Sequence, residues 1–315
     1  MLVIRAPNHL GDLIMALPAL QHARPNAVVA PKGLCSLIVM AGFHAIAFDG
    51  HLSTAATLRK HRFQRGILFT PSFSTALLLL LGGVRERRGT ATDNRAMLLT
   101  QKIDAGLLAH THRASMYWLL ATGDLPGVRP VPSLPVPDAL KQEFLQLLRA
   151  GQPKRRIGIF PGSNAPARRW SAERFAQLAR RLSEDAEVLV FGGSDERALT
   201  RQVAGDVAID LGGRTTLPML AAGLACCDQV ISNDSGPLHL AAAVGTPTIS
   251  LWGAGDPART GPPQGHTVLR DRRLPCLECV KNQCPRSGRG YILPEAYMEC
   301  MQLISIDDVL TSVKV

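Results

Sequence analysis

The sequence predicts an α/β protein with two doubly wound parallel sheets, each flanked by helices. Short apolar runs of strand length alternate with helix-length segments, the pattern of repeated β-α-β units. The stretch "LPGVRPVPSLPVPDAL" interrupts that alternation, after which it restarts. Proline fixes φ and removes a backbone donor, so the stretch reads as an extended linker at 125–138. A chain of 315 residues also exceeds what one core usually serves. The expected division is therefore 1–150 and 151–315.

The first half opens with the strand "MLVIRA", the loop "PNHLGD" and the helix "LIMALPALQHA", which runs through Pro18. The strands "AVVA", "AIAFD" and "GILFT" follow, separated by helix-like segments such as "GLCSLIVMAG" and "TALLLLLGG". The second half restarts with "RIGIFPGS" as strand and loop and "SAERFAQLARRLS" as an amphipathic helix. "EVLVFGGSDE" is strand then loop, "LPMLAAGLACC" a helix, and "QVISND" strand then loop. "GPLHLAAAVG" is a helix and "PTISLWG" the next strand. In both halves the polar loops follow the carboxyl ends of strands, where open α/β sheets bind ligands. Two such domains facing one another make a cleft, a common place for a ligand.

Composition narrows the class. Apolar residues make up 46% and charged residues 19%, as in a folded globular protein. The longest apolar run, in "TALLLLLGGV", is too short to span a bilayer, which takes about 20 residues. The amino terminus carries Arg5 and Asp12 where a secretion signal keeps an apolar core. A cytoplasmic protein is expected, with its seven cysteines mostly thiols or metal ligands. The net charge of +10 is uneven: residues 1–150 hold 16 Lys and Arg against 8 Asp and Glu, and the remainder hold 19 against 17. A basic first half fits an acidic partner, although an arginine-rich composition alone gives the same count. No zinc finger, helix-turn-helix or aromatic RNA-binding pattern accompanies the charge, which argues against nucleic acid.

Three loops carry the chemistry. In "FPGSNAPARRW", Ser163, backbone N–H groups, Arg168 and Arg169 suit a diphosphate, because arginine pairs bidentately with phosphate oxygens. An ordinary turn with solvated arginines would look the same. In "NDSGPLHLAAA", Asn233 or Asp234 is placed to cap the next helix, and Gly236 lets a ligand approach the backbone. His239 falls in the first helical turn beside the same loop. In "RAPNHLGDLIMALP", Asp12 opens a helix after the first strand. There it acts either as a cap or as a general base for a substrate hydroxyl. No Gly-x-Gly-x-x-Gly follows that strand, which argues against a dinucleotide redox enzyme.

Taken together, "HLGDLIMALPAL", "FPGSNAPARRWSAERFAQLARRL", "LVFGGSDE", "LGGRTTLPMLAAGLACCDQVISNDSGPLHLAAAVGTPTISLWGAGDP" and the cysteine-containing "CLECVKNQCP" resemble the lipopolysaccharide heptosyltransferases. The resemblance runs through nearly the whole chain and is strongest over 158–257. It implies the GT-B fold, two Rossmann-like domains about a central cleft, with acceptor on the first and nucleotide sugar on the second. It further implies inverting transfer of heptose from ADP-heptose to the inner core of lipopolysaccharide, with Asp12 as the base and no catalytic metal. Ser163, Arg168, Asp234, Ser235, Gly236 and His239 would hold diphosphate and heptose, with Thr215 and Thr216 near the nucleoside. Where the family usually has lysine, this chain has Arg168. An acidic, lipid-linked acceptor would give the basic first half its partner through Arg85, Arg87, Arg88 and Arg95. Such an acceptor places the enzyme at the inner face of the inner membrane. Another nucleotide-sugar transferase of the same fold, or a nucleotide- or polyanion-binding protein without turnover, are the alternatives.

Cys276, Cys279, Cys284 and Cys300 form C-x2-C-x4-C-x15-C, a spacing that can hold a structural zinc or an iron–sulfur cluster. Cys226 and Cys227 close an apolar helix and read as packing.

Overall fold

The computed structural model describes residues 1–108, 110–148, 155–263, 266–271, 274–284 and 298–313. The chain divides into two compact units, Met1–Pro135 and Val136–Val315. The first contains β1 (Leu2–Arg5), α1 (Leu10–Ala23), β2 (Ala27–Pro31), α2 (Cys35–Met40), β3 (Ala45–Phe48) and α3 (His51–His61). It continues with β4 (Arg65–Leu68), α4 (Phe73–Leu81), β5 (Glu86–Thr90), β6 (Gln101–Ile103) and α5 (Arg113–Thr122). Its six strands are all parallel in the order β3-β2-β1-β4-β5-β6.

The second unit begins with α6 (Asp138–Leu147), β7 (Arg156–Phe160), α7 (Ala172–Leu182), β8 (Glu187–Val190), α8 (Arg197–Ala204) and β9 (Ile209–Asp210). Next come α9 (Leu217–Ala225), β10 (Gln229–Asn233), α10 (Gly236–Ala243), β11 (Thr248–Leu251), α11 (Pro257–Thr260) and β12 (Thr267–Leu269). Two short helices, α12 (Glu299–Gln302) and α13 (Ile306–Ser312), end it. The strand order β12-β11-β10-β7-β8-β9 is the first sheet's order repeated, again fully parallel. The expected pair of doubly wound sheets is therefore present.

Buried strands explain why the sequence reads as continuous apolar runs: both faces of a parallel sheet are covered by helices. In the first unit Val3, Val29 and Leu68 of the sheet pack with Leu58, Leu78 and Leu79 from the helices. In the second, α7 places Phe175, Leu178, Ala179 and Leu182 at helical spacing onto Ile157, Ile159 and Val190. Each such side chain contributes roughly 1.5–3 kcal/mol by leaving water. Ser171 caps α7 as its position suggests, its hydroxyl accepting from Arg174 N at 3.2 Å.

The boundary between the units falls inside the proline-rich linker at 125–138 and before the division expected at 150. Pro137 ends the extended stretch, and α6 then packs on α9 of the second unit. Phe144 of α6 is fully buried and stacks on Phe191, ring centroids 6.2 Å apart. The sequence disguised β5 as well, because "ERRGT" is a strand with two arginines in it. Among the described residues no helix is long and apolar enough to cross a membrane.

Candidate active site

In a sheet of this order, the connections leave the two central strands toward opposite faces, and ligands bind outside their carboxyl ends. In the second unit those strands are β7 and β10, which are hydrogen-bonded neighbours. Their following loops are Pro161–Ser163 and Asp234–Ser235. The structure brings together there most of the residues expected to hold the donor. Ser163, 5% exposed, donates from Oγ to the Asp234 carbonyl at 3.3 Å. Arg168 Nη1 stands 2.9 Å from Asp234 Oδ2.

Asn233 pins the two loops to each other. Its amide Nδ2 donates to Pro161 O at 2.7 Å, while Oδ1 accepts from Trp170 N at 3.0 Å. Neither Asn233 nor Asp234 caps α10, so the capping reading of this loop falls away. Ser235 occupies the N-cap position with no side-chain cap bond, and Gly236 opens the helix. No side chain caps the start of α10, and the N–H groups of Gly236 and Leu238 lie there at the positive end of the helix dipole, which favours an anion. His239 is buried in that first turn. Thr216 caps α9 by accepting from Met219 N at 3.3 Å, with half-buried Thr215 beside it.

Electrostatics single out Asp234. It is 3% exposed, and burial pushes its carboxyl up to about 6 even though Arg168 opposes the shift. Arg168 keeps a quarter of its side chain exposed, and its Nε has no hydrogen-bond partner among the described residues. Glu196 supports the loop from below, accepting from Gly193 N at 2.8 Å. A Cβ at Gly162 would meet the Glu196 carboxylate and push it off Gly193 N.

The first unit builds a different site at the same topological place. Asp12 lies in the first turn of α1, just past the carboxyl end of β1. It is not a cap: His9 is the N-cap residue. The Asp12 side chain is 27% exposed, and its Oδ1 stands 3.4 Å from Arg113 Nε of α5. Burial, and then the negative charge of Asp12, push the phenol of Tyr117 on the same helix well above its ordinary value. Neither Arg113 nor Tyr117 was visible as functional in the sequence, since only the fold brings α5 beside α1.

The four arginines expected to meet the acceptor do not gather around Asp12. Leu2 of β1 pairs with Arg65 of β4, and Arg65 with Glu86 of β5, so these residues mark the amino end of the sheet. Arg85 precedes that end, opposite to Asp12. Arg88 lines a cavity of about 250 Å³ there with His22, Arg65 and Glu86, and donates to Gln101 and Ala121 O. Arg87 spends its guanidinium on the carbonyls of Val84, Arg85 and Leu98. Arg95 is fully buried and braces a loop through Thr90 O, Thr90 Oγ1 and Thr70 O at 2.6–2.8 Å. The structure does not bring these four together: the guanidinium groups of Arg87 and Arg95 are held by oxygens of their own unit, and Arg85 and Arg88 lie toward the amino end of the sheet.

Burial first, and then the charges of Cys276, Cys284 and Cys279, push Cys300 up to about 11. Among the described residues, however, no group of three or more His, Cys, Asp or Glu stands in a metal-holding arrangement. Cys227 is buried, its thiol donating to Gly223 O at 3.3 Å, as packing predicts.

The model of glycosyltransferase family 9 (heptosyltransferase) matches residues 51–288, which is most of the chain. The chain belongs to this family. Lipooligosaccharide heptosyltransferase 2 of Campylobacter jejuni is 27% identical over 302 residues, 90% of each protein. Lipopolysaccharide heptosyltransferase 2 of Escherichia coli is 25% identical over 299 residues, covering 84% of this chain and 86% of that one. The solved structure of E. coli ADP-heptose lps heptosyltransferase II superposes with a TM-score of 0.83 at 24% identity, covering 98% and 96% of the two chains. The heptosyltransferase chain is thus a family 9 glycosyltransferase in fold and in sequence.

Proposed function

We propose that this heptosyltransferase moves heptose from ADP-heptose onto the inner core of lipopolysaccharide, with inversion at the anomeric carbon. The observation that carries the reading is Asp12: a partly exposed carboxylate past the end of β1 that is not spent on capping its helix. As general base it takes the proton of the acceptor hydroxyl, whose oxygen then attacks the anomeric carbon from the face opposite ADP. The C–O bond to the diphosphate breaks as the new glycosidic bond forms, and ADP leaves as the anion. Arg168, Ser163 and the open first turn of α10 supply fixed positive ends for the charge that builds on the departing diphosphate. Asp234 cannot serve phosphate, which it would repel; we assign it to heptose hydroxyls and to orienting Arg168. Thr215 and Thr216 stand with the nucleoside in this reading.

The acceptor meets the first unit near Asp12, not along Arg85–Arg88. Because that acceptor is lipid-linked, the protein works at the inner face of the inner membrane in this reading. No part in the transfer is assigned to the four late thiols.

Thermal unfolding with ADP, UDP, GDP and CMP at equal concentration tests the donor. A ligand that binds only the folded chain adds about 2.7 kcal/mol at a hundredfold excess over Kd. A shift with ADP alone is the expected result. A larger shift with another nucleotide would keep the chemistry and replace the donor.

A further inference from the structure

We infer that Trp170 is a positioning residue for the donor grip: its indole ties the loop that carries Arg168 to the terminal segment of the chain, and so fixes where that guanidinium stands. This rests on the reading of Arg168 as a ligand of the donor diphosphate. Trp170 is 2% exposed and lies two residues after Arg168. Its Nε1 donates to Ile304 O at 3.0 Å, while its backbone N donates to Asn233 Oδ1, also at 3.0 Å. One residue thus joins the loop after β7, the end of β10 and a carbonyl 134 residues later.

The terminal segment is a firm anchor. Met301, Ile304 and Val309 are buried in the same core cluster as Trp170, Ile159 and Ile231. Arg174 of α7 reaches the same carbonyl: its Nη1 donates to Ile304 O at 2.7 Å and to Gln302 O. The Arg174 guanidinium also stands over the Trp170 ring, 6.0 Å from its centre. Phe175 meets that ring edge-on, with 4.9 Å between centroids.

Arg168 lies between two such anchors. On one side Ala167 N donates to Asn282 O at 3.1 Å. The stretch that carries Asn282 is in turn held on the loop after β11, through Glu278 N to Gly253 O at 2.9 Å and Val280 N to Ala254 O at 2.7 Å. On the other side stand the two hydrogen bonds of Trp170. Between them a single 3₁₀ turn, Pro166–Arg168, leaves Arg168 Nη1 2.9 Å from Asp234 Oδ2. An arginine on a free loop would have to order that loop at each binding event. A backbone already held on both sides removes that cost from the grip on an anion.

Calorimetric titration with ADP, beside steady-state transfer from ADP-heptose, tests the assignment. Trp170→Phe keeps an aromatic ring against Phe175 and removes the N–H. It is expected to raise the Kd for ADP and the KM for ADP-heptose about fivefold, with the acceptor KM within about twofold of wild type. In an Arg168→Ala background the same substitution is expected to raise the Kd for ADP no further, because the indole acts through Arg168. If Trp170→Phe does not fold, Arg174→Gln decides in its place. It removes the other donor to Ile304 O and is expected to raise the Kd for ADP about threefold, with Arg174→Lys recovering part of the loss. An unchanged Kd for ADP in the variant that decides would overturn the inference. So would an equal rise with and without Arg168, or an acceptor KM raised as much as the Kd for ADP. Wild-type ADP affinity in Arg168→Ala alone would instead overturn the donor reading beneath it.

Discussion

The two units share one strand order and differ in what they place at its centre. After β1, the first unit presents a carboxylate ion-paired with an arginine from a helix. After β7 and β10, the second presents an arginine, a serine and an uncapped helix start around a buried acid. The sheet fixes where a ligand goes, and the loop residues fix what it is. In the proposed reading one frame yields a proton acceptor and the other an anion grip, the two halves of an inverting sugar transfer. Removing a group from one unit should therefore leave the other unit's task intact.

The largest effect on stability is expected at Arg95. Arg95→Ala strips three buried oxygens of their donor and opens a cavity, a loss of about 3–5 kcal/mol by denaturant unfolding. ADP affinity should stay within about twofold, because the brace lies in the first unit. An equal loss of ADP binding would break the separation. Asn233→Ala comes next, at about 2–3 kcal/mol for two buried hydrogen bonds. It should also weaken ADP binding, since it frees the Pro161 loop from β10.

Asp234 sharpens the comparison through pH. Its folded carboxyl sits up at about 6, above its ordinary 3.8, because burial opposes the charge. The folded chain therefore holds this proton more tightly than the unfolded chain. The resulting stability is fully present below the ordinary value and is lost as pH rises through about 6. Asp234→Asn should abolish that loss, which is on the order of 2–3 kcal/mol between pH 4 and 7. By calorimetry the variant should bind ADP about threefold more tightly, because a negative charge beside the diphosphate is gone, while heptose transfer falls. Tighter ADP binding without loss of transfer would remove Asp234 from the sugar. The smallest effect is expected at Arg85, on the far end of the first sheet: Arg85→Gln should change acceptor KM by less than about twofold.

The second unit was the more legible in the sequence. Its strands run apolar into short polar loops, and Ser163 and Asp234 sit just past strand ends, with Arg168 further along the loop after β7, so local spacing already places them. Asn233 was harder: its amide looks like a cap and instead ties two loops 72 residues apart. In the first unit Asp12 was visible but its partners were not, since Arg113 and Tyr117 lie about a hundred residues away. The arginines in and after β5 misled for a related reason. A charged run reads as a solvated face, whereas Arg87 and Arg95 are turned inward onto carbonyls. Helix α6 hid behind the prolines, and only the burial of Phe144 shows which unit it serves.

The separation of roles is tested most directly by one paired experiment, transfer and ADP binding measured side by side in Asp12→Asn and Arg168→Ala. Asp12→Asn should lose transfer by about 10²–10⁴-fold and keep its affinity for ADP. Arg168→Ala should lose ADP affinity by about tenfold or more. An Asp12→Asn protein that transfers heptose at the wild-type rate, or an Arg168→Ala protein that binds ADP as tightly as wild type, would contradict the account.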